Sequence, residues 1–408
     1  MLNETNWEDF QYLIVRCNKK RDQCGGFADR LKAFPAVVRI ASMTKRVLFY
    51  NWERPYPLEE FLLPGDRGIN WSYPVWFRKQ VEDWDLFIGS EYTQLNSYYA
   101  DEIQESMKSR QTIIYLEHAF GGEGGEFTYD KQIREQQQTL SLDDVPYREA
   151  YHALWHANFK PTSPIQELLE QQLQESNLVP GQYTGFHYRS IFMMDEAEED
   201  GINALKSNIF KGTNCALQFA TQSGDDPVVL VAADSRTATT IAVRYVNKYT
   251  ATARAVTRSV YAEKPLLHMD RGEDFLFGDN SKTNGSPADY FPAILDLYLL
   301  SFSRCMAYGR GGFGRMANLL SEGSSCYFDY MPDHDFDSNA NGYNFSFKHC
   351  PMPPLTRPLH STSPNKIPDR ESAPISRPRT PTVSVWSLSA RPRVGSKQRA
   401  LRQLESHN

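Results

Sequence analysis

Between Gln182 and Ser190 the sequence Gln-Tyr-Thr-Gly-Phe-His-Tyr-Arg-Ser alternates apolar and polar residues. That period of two belongs to a strand, and it brings His187 and Arg189 out side by side on one face. A guanidinium presents a planar fork of donors that matches phosphate oxygens two at a time. In an open α/β sheet, the carboxyl end of a strand is where a nucleotide phosphate binds. A surface arginine in a salt bridge beside a packed histidine has the same spacing, so the surrounding chain has to decide between the two.

The first half of the chain reads as a frame for such a site. A short apolar run over 12–17 predicts a buried strand, followed by Gly25-Gly26 and a helical rhythm at Phe27, Leu31, Phe34, Val38 and Ala41. Pro35 lies inside that rhythm, where it kinks the helix or delays its start. A second strand over 47–50 completes strand, glycine turn, helix, strand, the opening of a Rossmann-like unit. The glycine pair lets backbone approach a ligand and the helix start favours an anion, although two glycines also make an empty tight turn. A short helix is expected near 58–63 and a strand over 112–116. Gly121 to Gly125 lacks the Lys-Ser/Thr of a P-loop and reads as a flexible loop. Helices follow over 147–159 and 163–173, the second with Ser163 as cap, Pro164 in its first turn and Gln166 completing a capping box.

The second half repeats the alternation. After the strand carrying His187 and Arg189 comes a helix through 203–209, then the near-continuous apolar run Val-Val-Leu-Val-Ala-Ala ending at Asp234 and Ser235. Such a run fits a strand buried on both faces. A helix over 238–249, a strand over 256–260 and a helix over 287–304 follow, the last with Asp296 interrupting its apolar side. A strand over 306–308 then leads to a glycine turn at Gly309 to Gly312 and a final helix. The fold class is therefore α/β, with two parallel-sheet domains at 1–180 and 181–350. The segment 351–408, rich in Pro, Ser and Arg, cannot bury enough apolar surface to offset its ordering entropy and is expected to be a disordered basic tail.

Composition narrows the classes. A length of 408 residues suffices for two ordinary cores, and a net charge of -6 gives no basic field for nucleic acid. No run approaches the roughly 20 apolar residues that span a bilayer. Cys17 and Cys24 either close a short disulfide loop or stand as two thiols. The polar start has no apolar leader and, read literally, belongs to an unexported chain.

Taken together, the blocks resemble the GDP-fucose-dependent fucosyltransferase superfamily of protein O-fucosyltransferases, α1,6-fucosyltransferases and the nodulation fucosyltransferase. His187-Tyr-Arg189 is similar to the family's His-x-Arg, whose arginine holds the donor β-phosphate. The stretch from Val231 to Ser235 is similar to its Ala-Ser-Asp-Asp block. The stretch from Ile294 to Ser301, leading to Gly311, Gly312 and Phe313, is similar to its Asp-Leu-x-x-Leu-Ser segment and small-residue turn. Gly25-Gly26-Phe27-Ala28-Asp29-Arg30 resembles its first glycine motif.

The resemblance implies a GT-B architecture, with two Rossmann-like domains across a cleft, and inverting, metal-independent transfer of fucose to a glycan or protein hydroxyl. It implies contacts to the donor nucleotide from Gly25, Gly26, Phe27, Asp29, Arg30, Asp234, Ser235, Asp296, Gly311, Gly312 and Phe313. Arg189 acts on the phosphate and His187 is its neutral hydrogen-bonding partner. No cofactor or metal is expected, only the nucleotide-sugar donor and an acceptor. Where the family often has two serines, this chain has Gly311-Gly312. The general base stays open among Glu117, His118, Glu123 and Asp195. A non-catalytic nucleotide-sugar or glycan binder on the same scaffold, or a transferase using another nucleotide sugar, remains an alternative. Relatives of this kind sit in the Golgi or endoplasmic reticulum lumen, which would require an N-terminus beyond the present one; otherwise the chain is cytoplasmic.

Overall fold

A computed structural model describes residues 6–17, 26–32, 34–79, 113–117, 147–189, 199–222, 227–249, 253–260, 262, 266–267, 269, 285–309, 311–322, 326–329 and 350. All of them fall within one compact unit, Met1–Thr356. Gly25, the loop from Gly121 to Gly125, Ser190 and the expected tail at 351–408 lie outside the described residues.

Two separate parallel sheets organise the chain. The first has β1 (Tyr12–Cys17) at its centre, with β2 (Val47–Trp52) on one side and β4 (Ile113–Glu117) on the other. The second has the order β10-β9-β6-β7-β8, from β6 (Thr184–Tyr188), β7 (Val228–Ala233), β8 (Arg254–Thr257), β9 (Cys305–Tyr308) and β10 (Tyr327–Asp329). Every pairing in it is parallel. Renumbered within the sheet, this is the doubly wound 3-2-1-4-5 order, which reverses direction between β6 and β9. The first sheet precedes residue 181 and the second follows it.

The period of two decides what each sheet face buries. On β1, Leu13 and Val15 join one core cluster while Tyr12 and Ile14 join another with Phe49 and Phe77. On β7, Leu230 and Ala232 face the same cluster as Leu13 and Val15, whereas Val229 and Val231 face the opposite side with Phe186 and Tyr188. One core thus runs under both sheets. Each fully buried aliphatic or aromatic side chain in it contributes about 1.5–3 kcal/mol before entropy is counted.

Eight helices among the described residues matter here: α1 (Phe27–Leu31), α2 (Phe34–Thr44), α3 (Tyr147–Asn158), α4 (Ser163–Glu175), α5 (Glu199–Thr221), α6 (Arg236–Tyr249), α7 (Phe291–Ser301) and α8 (Gly312–Leu320). The rhythm is split into α1 and α2 between Leu31 and Phe34, and Pro35 is the second residue of α2, in the first turn where its missing amide would have no helical partner. Three local expectations are corrected. The stretch near 58–63 is a 3-10 turn, Leu58–Glu60, and then β3 (Leu62–Pro64), which pairs antiparallel with β5 (Phe159–Pro161); the prolines there favour extended backbone over helix. Thr162, not Ser163, is the cap residue of α4, and its side chain makes no capping bond. Finally, α7 buries residues on every side, including Leu295 and Leu299, because it lies in the joined core rather than at its surface.

Candidate functional site

Arg189 follows directly from the last residue of β6, at the point where the strand order reverses. β6 pairs His187 with Ala232 on one side and with Tyr308 on the other. The chain ends beyond these pairs are Asp234 after β7 and Gly309 after β9, so the expected strand-end residues meet along one edge. Ser235 starts α6, accepting a hydrogen bond on Oγ from the Ala238 amide at 3.4 Å. Its hydroxyl is an N-cap.

The glycine turn after β9 is shaped around the arginine. Gly311 has φ +95°, a conformation that side chains strain to adopt, and a Cβ there would lie 2.7 Å from Arg189 Nη1. The guanidinium therefore packs against bare backbone at the start of α8. That helix has no side-chain cap bond and no acidic residue in its first turn. Its first-turn amides and its dipole favour an anion beside a fixed cation.

The residues around this corner set its charge. His187 is buried and its ring lies 5.1 Å, centroid to centroid, from that of Phe313 in the first turn of α8. Burial, helped by the neighbouring Arg189 charge, holds the imidazole pKa down to about 3. At neutral pH it is uncharged, as the resemblance implies, and Arg189 is the cation of the pair.

The first glycine motif arrives from the other sheet. α8 packs against both α1 and α3, and a Cβ at Gly312 would lie 3.2 Å from Asp29 Oδ1 and 3.4 Å from Ala28 Cβ. Asp29 accepts the Gly26 amide on Oδ2 at 3.1 Å and the Lys32 ammonium on Oδ1 at 3.4 Å. The two glycine turns and Arg189 thus form one corner, with Asp29 between the helix starts.

Other members of the expected set are turned toward the protein. Arg30 is 1% exposed, stacks its guanidinium 4.9 Å over the Trp52 ring and donates to the Arg54 carbonyl at 2.5 Å and the Met269 carbonyl at 3.5 Å. Phe27 is buried edge-on against Trp52. Asp296 lies inside the core on α7, bridged to Arg258 Nε at 3.1 Å. Burial raises its carboxyl to about 6 despite that arginine. All three side chains are engaged within the protein. A charged residue inside an otherwise apolar helix reads in sequence as a ligand contact, and its ion-pair partner is visible only in three dimensions.

The far end of α8 is held by residues that the sequence reading passed over. Arg148 donates to the Asn318 carbonyl at 3.4 Å and to Ser321 Oγ at 2.9 Å. His152 Nδ1 and His156 Nε2 lie 3.2 and 3.0 Å from the Leu320 carbonyl. Arg148, His152 and His156 sit four apart along α3, one face that meets the last carbonyls of α8 and pins that helix. That regular spacing was a usable signal. Two cysteines were also unplaced: Cys305 and Cys326 are disulfide-linked, tying β9 to the start of β10. Cys17 is disulfide-bonded as well, and its expected partner Cys24 lies outside the described residues.

No protein-family profile and no curated protein matches the chain. Several solved structures are similar to it over part of its length. A mutant of Arabidopsis thaliana FUT1 in complex with GDP is similar at 13% identity, over 76% of this chain and 69% of that one, with a TM-score of 0.48. NodZ alpha-1,6-fucosyltransferase soaked with GDP-fucose is similar at 17% identity, over 76% and 93% of the two chains, with a TM-score of 0.44. POFUT1 in complex with GDP-fucose is similar at 9% identity over 78% and 97%, with a TM-score of 0.36. The local geometry of the corner, not these distant likenesses, carries the functional reading below.

Proposed function

We propose that this chain binds the diphosphate of a nucleotide sugar at the Arg189–α8 corner and transfers fucose from GDP-fucose to a glycan or protein hydroxyl. The observation that carries it is the Arg189 guanidinium packed against Gly311 at the open start of α8, where the five-stranded sheet reverses its order. In the transfer, the acceptor hydroxyl oxygen bonds to the sugar carbon and gives up its proton to a base or to solvent, while the bond from that carbon to the β-phosphate oxygen breaks and negative charge collects on the leaving diphosphate. In this reading Arg189 and the first-turn amides of α8 stabilise that charge. The neutral His187 orients the strand end without adding a second cation. Fucose as the sugar rests on the ordered sequence blocks, as do the two facing Rossmann-like domains and inversion at the sugar carbon. A secretory-pathway lumen as location rests on the same resemblance.

Metal independence is part of the proposal and has a concrete rival. The sequence contains Asp-x-Asp triplets at Asp83-Trp84-Asp85 and from Asp333 to Asp337, outside the described residues. Activity that disappears in EDTA and returns with a divalent ion would assign the phosphate charge to a metal. The test of the whole reading is calorimetric binding of GDP together with GDP-fucose turnover, for the native chain and Arg189→Ala. We expect micromolar-range binding that Arg189→Ala abolishes, and turnover lowered about 100-fold or more. Undetectable GDP binding by the folded native chain overturns it. Gly311-Gly312, lacking hydroxyl donors, favours one second reading, a binder without turnover. A single-turnover assay distinguishes that by finding tight GDP-fucose binding and no released GDP.

A further inference from the structure

Among the described residues two cysteines remain outside disulfides, and they are not scattered. Cys215 lies on the buried face of α5, and Cys350 packs against the same apolar cluster from a position 135 residues later in the chain. Their thiols hydrogen-bond to one another. The cluster they share contains Phe186 and Tyr188 of β6 and Ala307 of β9, the strands that end at Arg189 and at the glycine turn. α5 packs directly on both strands.

We propose that Cys215 and Cys350 are a cross-linking site, joined as a disulfide that fastens the chain at residue 350 to α5 beneath the anion corner. Two thiols in hydrogen-bonding contact need only a small side-chain adjustment to reach a bonded sulfur pair. The other described cysteines, Cys17, Cys305 and Cys326, are already in disulfides, so an oxidising compartment that forms those links reaches this pair too. This inference is independent of the donor and of transferase activity.

The chemistry is exchange with a small or protein disulfide as oxidant. Cys350 is half-buried, and its contact with Cys215 lowers its pKa, whereas burial and the same contact push the Cys215 thiol up. Cys350 is the more exposed of the two and the one an oxidant reaches, so it gives up its proton and attacks the oxidant, forming a mixed disulfide and releasing one thiol. The Cys215 sulfur, giving up its proton, then attacks the Cys350 sulfur and displaces the second thiol. The two protein thiols lose two electrons and two protons, and the oxidant becomes two thiols.

The test is peptide mapping of the full chain, secreted from an oxidising host, quenched in acid and alkylated with N-ethylmaleimide under denaturing, non-reducing conditions. A Cys215 peptide joined to a Cys350 peptide, two hydrogens lighter than the pair, is the expected result. Both peptides carrying N-ethylmaleimide, in a sample where Cys305–Cys326 is intact, overturns the proposal. Cys350→Ser gives the control at the level of the folded protein. It should leave Cys215 as a newly alkylatable thiol and lower Tm, and the native chain treated with oxidised glutathione after mild reduction should recover the higher Tm. If the native chain and Cys350→Ser expose the same number of alkylatable cysteines apart from residue 350 itself, the link is absent.

Discussion

The two glycine turns share a sequence pattern and differ in what stands at the helix start. At α1 the Gly26 amide is occupied by Asp29 from its own first turn, so the positive end of that short helix is neutralised by a carboxylate. At α8 the helix's own first turn holds no acid and no side chain caps it, and the charges beside it are the Arg189 guanidinium at Gly311 and the Asp29 carboxylate at Gly312. Backbone differs too: Gly26 has an ordinary φ of -67°, whereas Gly311 has φ +95°. One turn is closed by a side chain of its own helix, and the other has no cap from its own helix. A glycine pair before a helix is thus ambiguous by itself, and the first-turn residue decides whether it caps itself or binds.

That contrast can be broken most severely by making α8 resemble α1. Gly312→Asp places a carboxylate at the helix start, within reach of the amides a phosphate would use and next to Asp29. GDP affinity should fall about 100-fold or more, since donors are lost and a like charge is added to the site. The thermal midpoint should change far less than the affinity, because an acid in the first turn also favours the helix dipole. Calorimetric titration with GDP beside a melting curve reads both. Unchanged affinity would mean that the anion does not sit on α8.

The open corner also predicts how the protein responds to acid. His187 is neutral when folded, with its pKa near 3 against 6.5 for the free side chain. Between those values the unfolded chain binds the extra proton, so stability rises with pH and is lost as pH falls from 6.5 toward 3, by up to about 1.4 kcal/mol per unit. Asp296 works against it: its folded pKa near 6 exceeds the ordinary 3.8, so between those values the folded chain holds the extra proton and stability falls as pH rises. Over that shared window the two slopes offset. Asp296→Asn should expose a loss of stability on acidification, and His187→Gln should reverse it to a gain below pH 6, in urea melts from pH 4 to 6.5. The same slope in all three chains would remove His187 from the acid response.

Much of this was legible before any coordinates. The strand carrying His187 and Arg189, the apolar run into Asp234, and the glycine turn before α8 all follow from period and composition. Their meeting at one edge follows from the reversal of strand order. What could not be read was pairing at a distance. Nothing near Asp296 in sequence announces Arg258, and nothing in the Arg30 motif announces that its guanidinium turns back onto Trp52. The Cys305–Cys326 link is of the same kind. β10 has only three residues, too few for a period to show. The Arg148, His152 and His156 face was legible by spacing, but its target, the end of α8, was not.

A milder perturbation acts on the open turn alone. Gly311→Ala asks a side chain to adopt φ +95° and to occupy space 2.7 Å from Arg189 Nη1. The guanidinium has to shift, and GDP affinity should fall about tenfold with a loss of roughly 1 kcal/mol in stability. Gly26→Ala, at φ -67°, should be tolerated with little change in either quantity. Equal effects at the two glycines would erase the distinction between the turns.

The smallest effect has the more informative sign. Asp29→Asn keeps an oxygen to accept the Gly26 amide but removes the charge that favours the start of α1, costing about 0.3–1 kcal/mol of stability. It also removes a negative charge whose Oδ1 would lie 3.2 Å from a Cβ at Gly312. If the diphosphate rests on α8, losing that repulsion should tighten GDP binding a few-fold even as the protein melts earlier. If the anion were held instead by α1 and its glycines, the same substitution would open that site and have no route through Arg189. The double variant Asp29→Asn, Arg189→Ala separates the two cases: a gain that survives loss of the arginine belongs to α1, and a gain that vanishes with it belongs to α8.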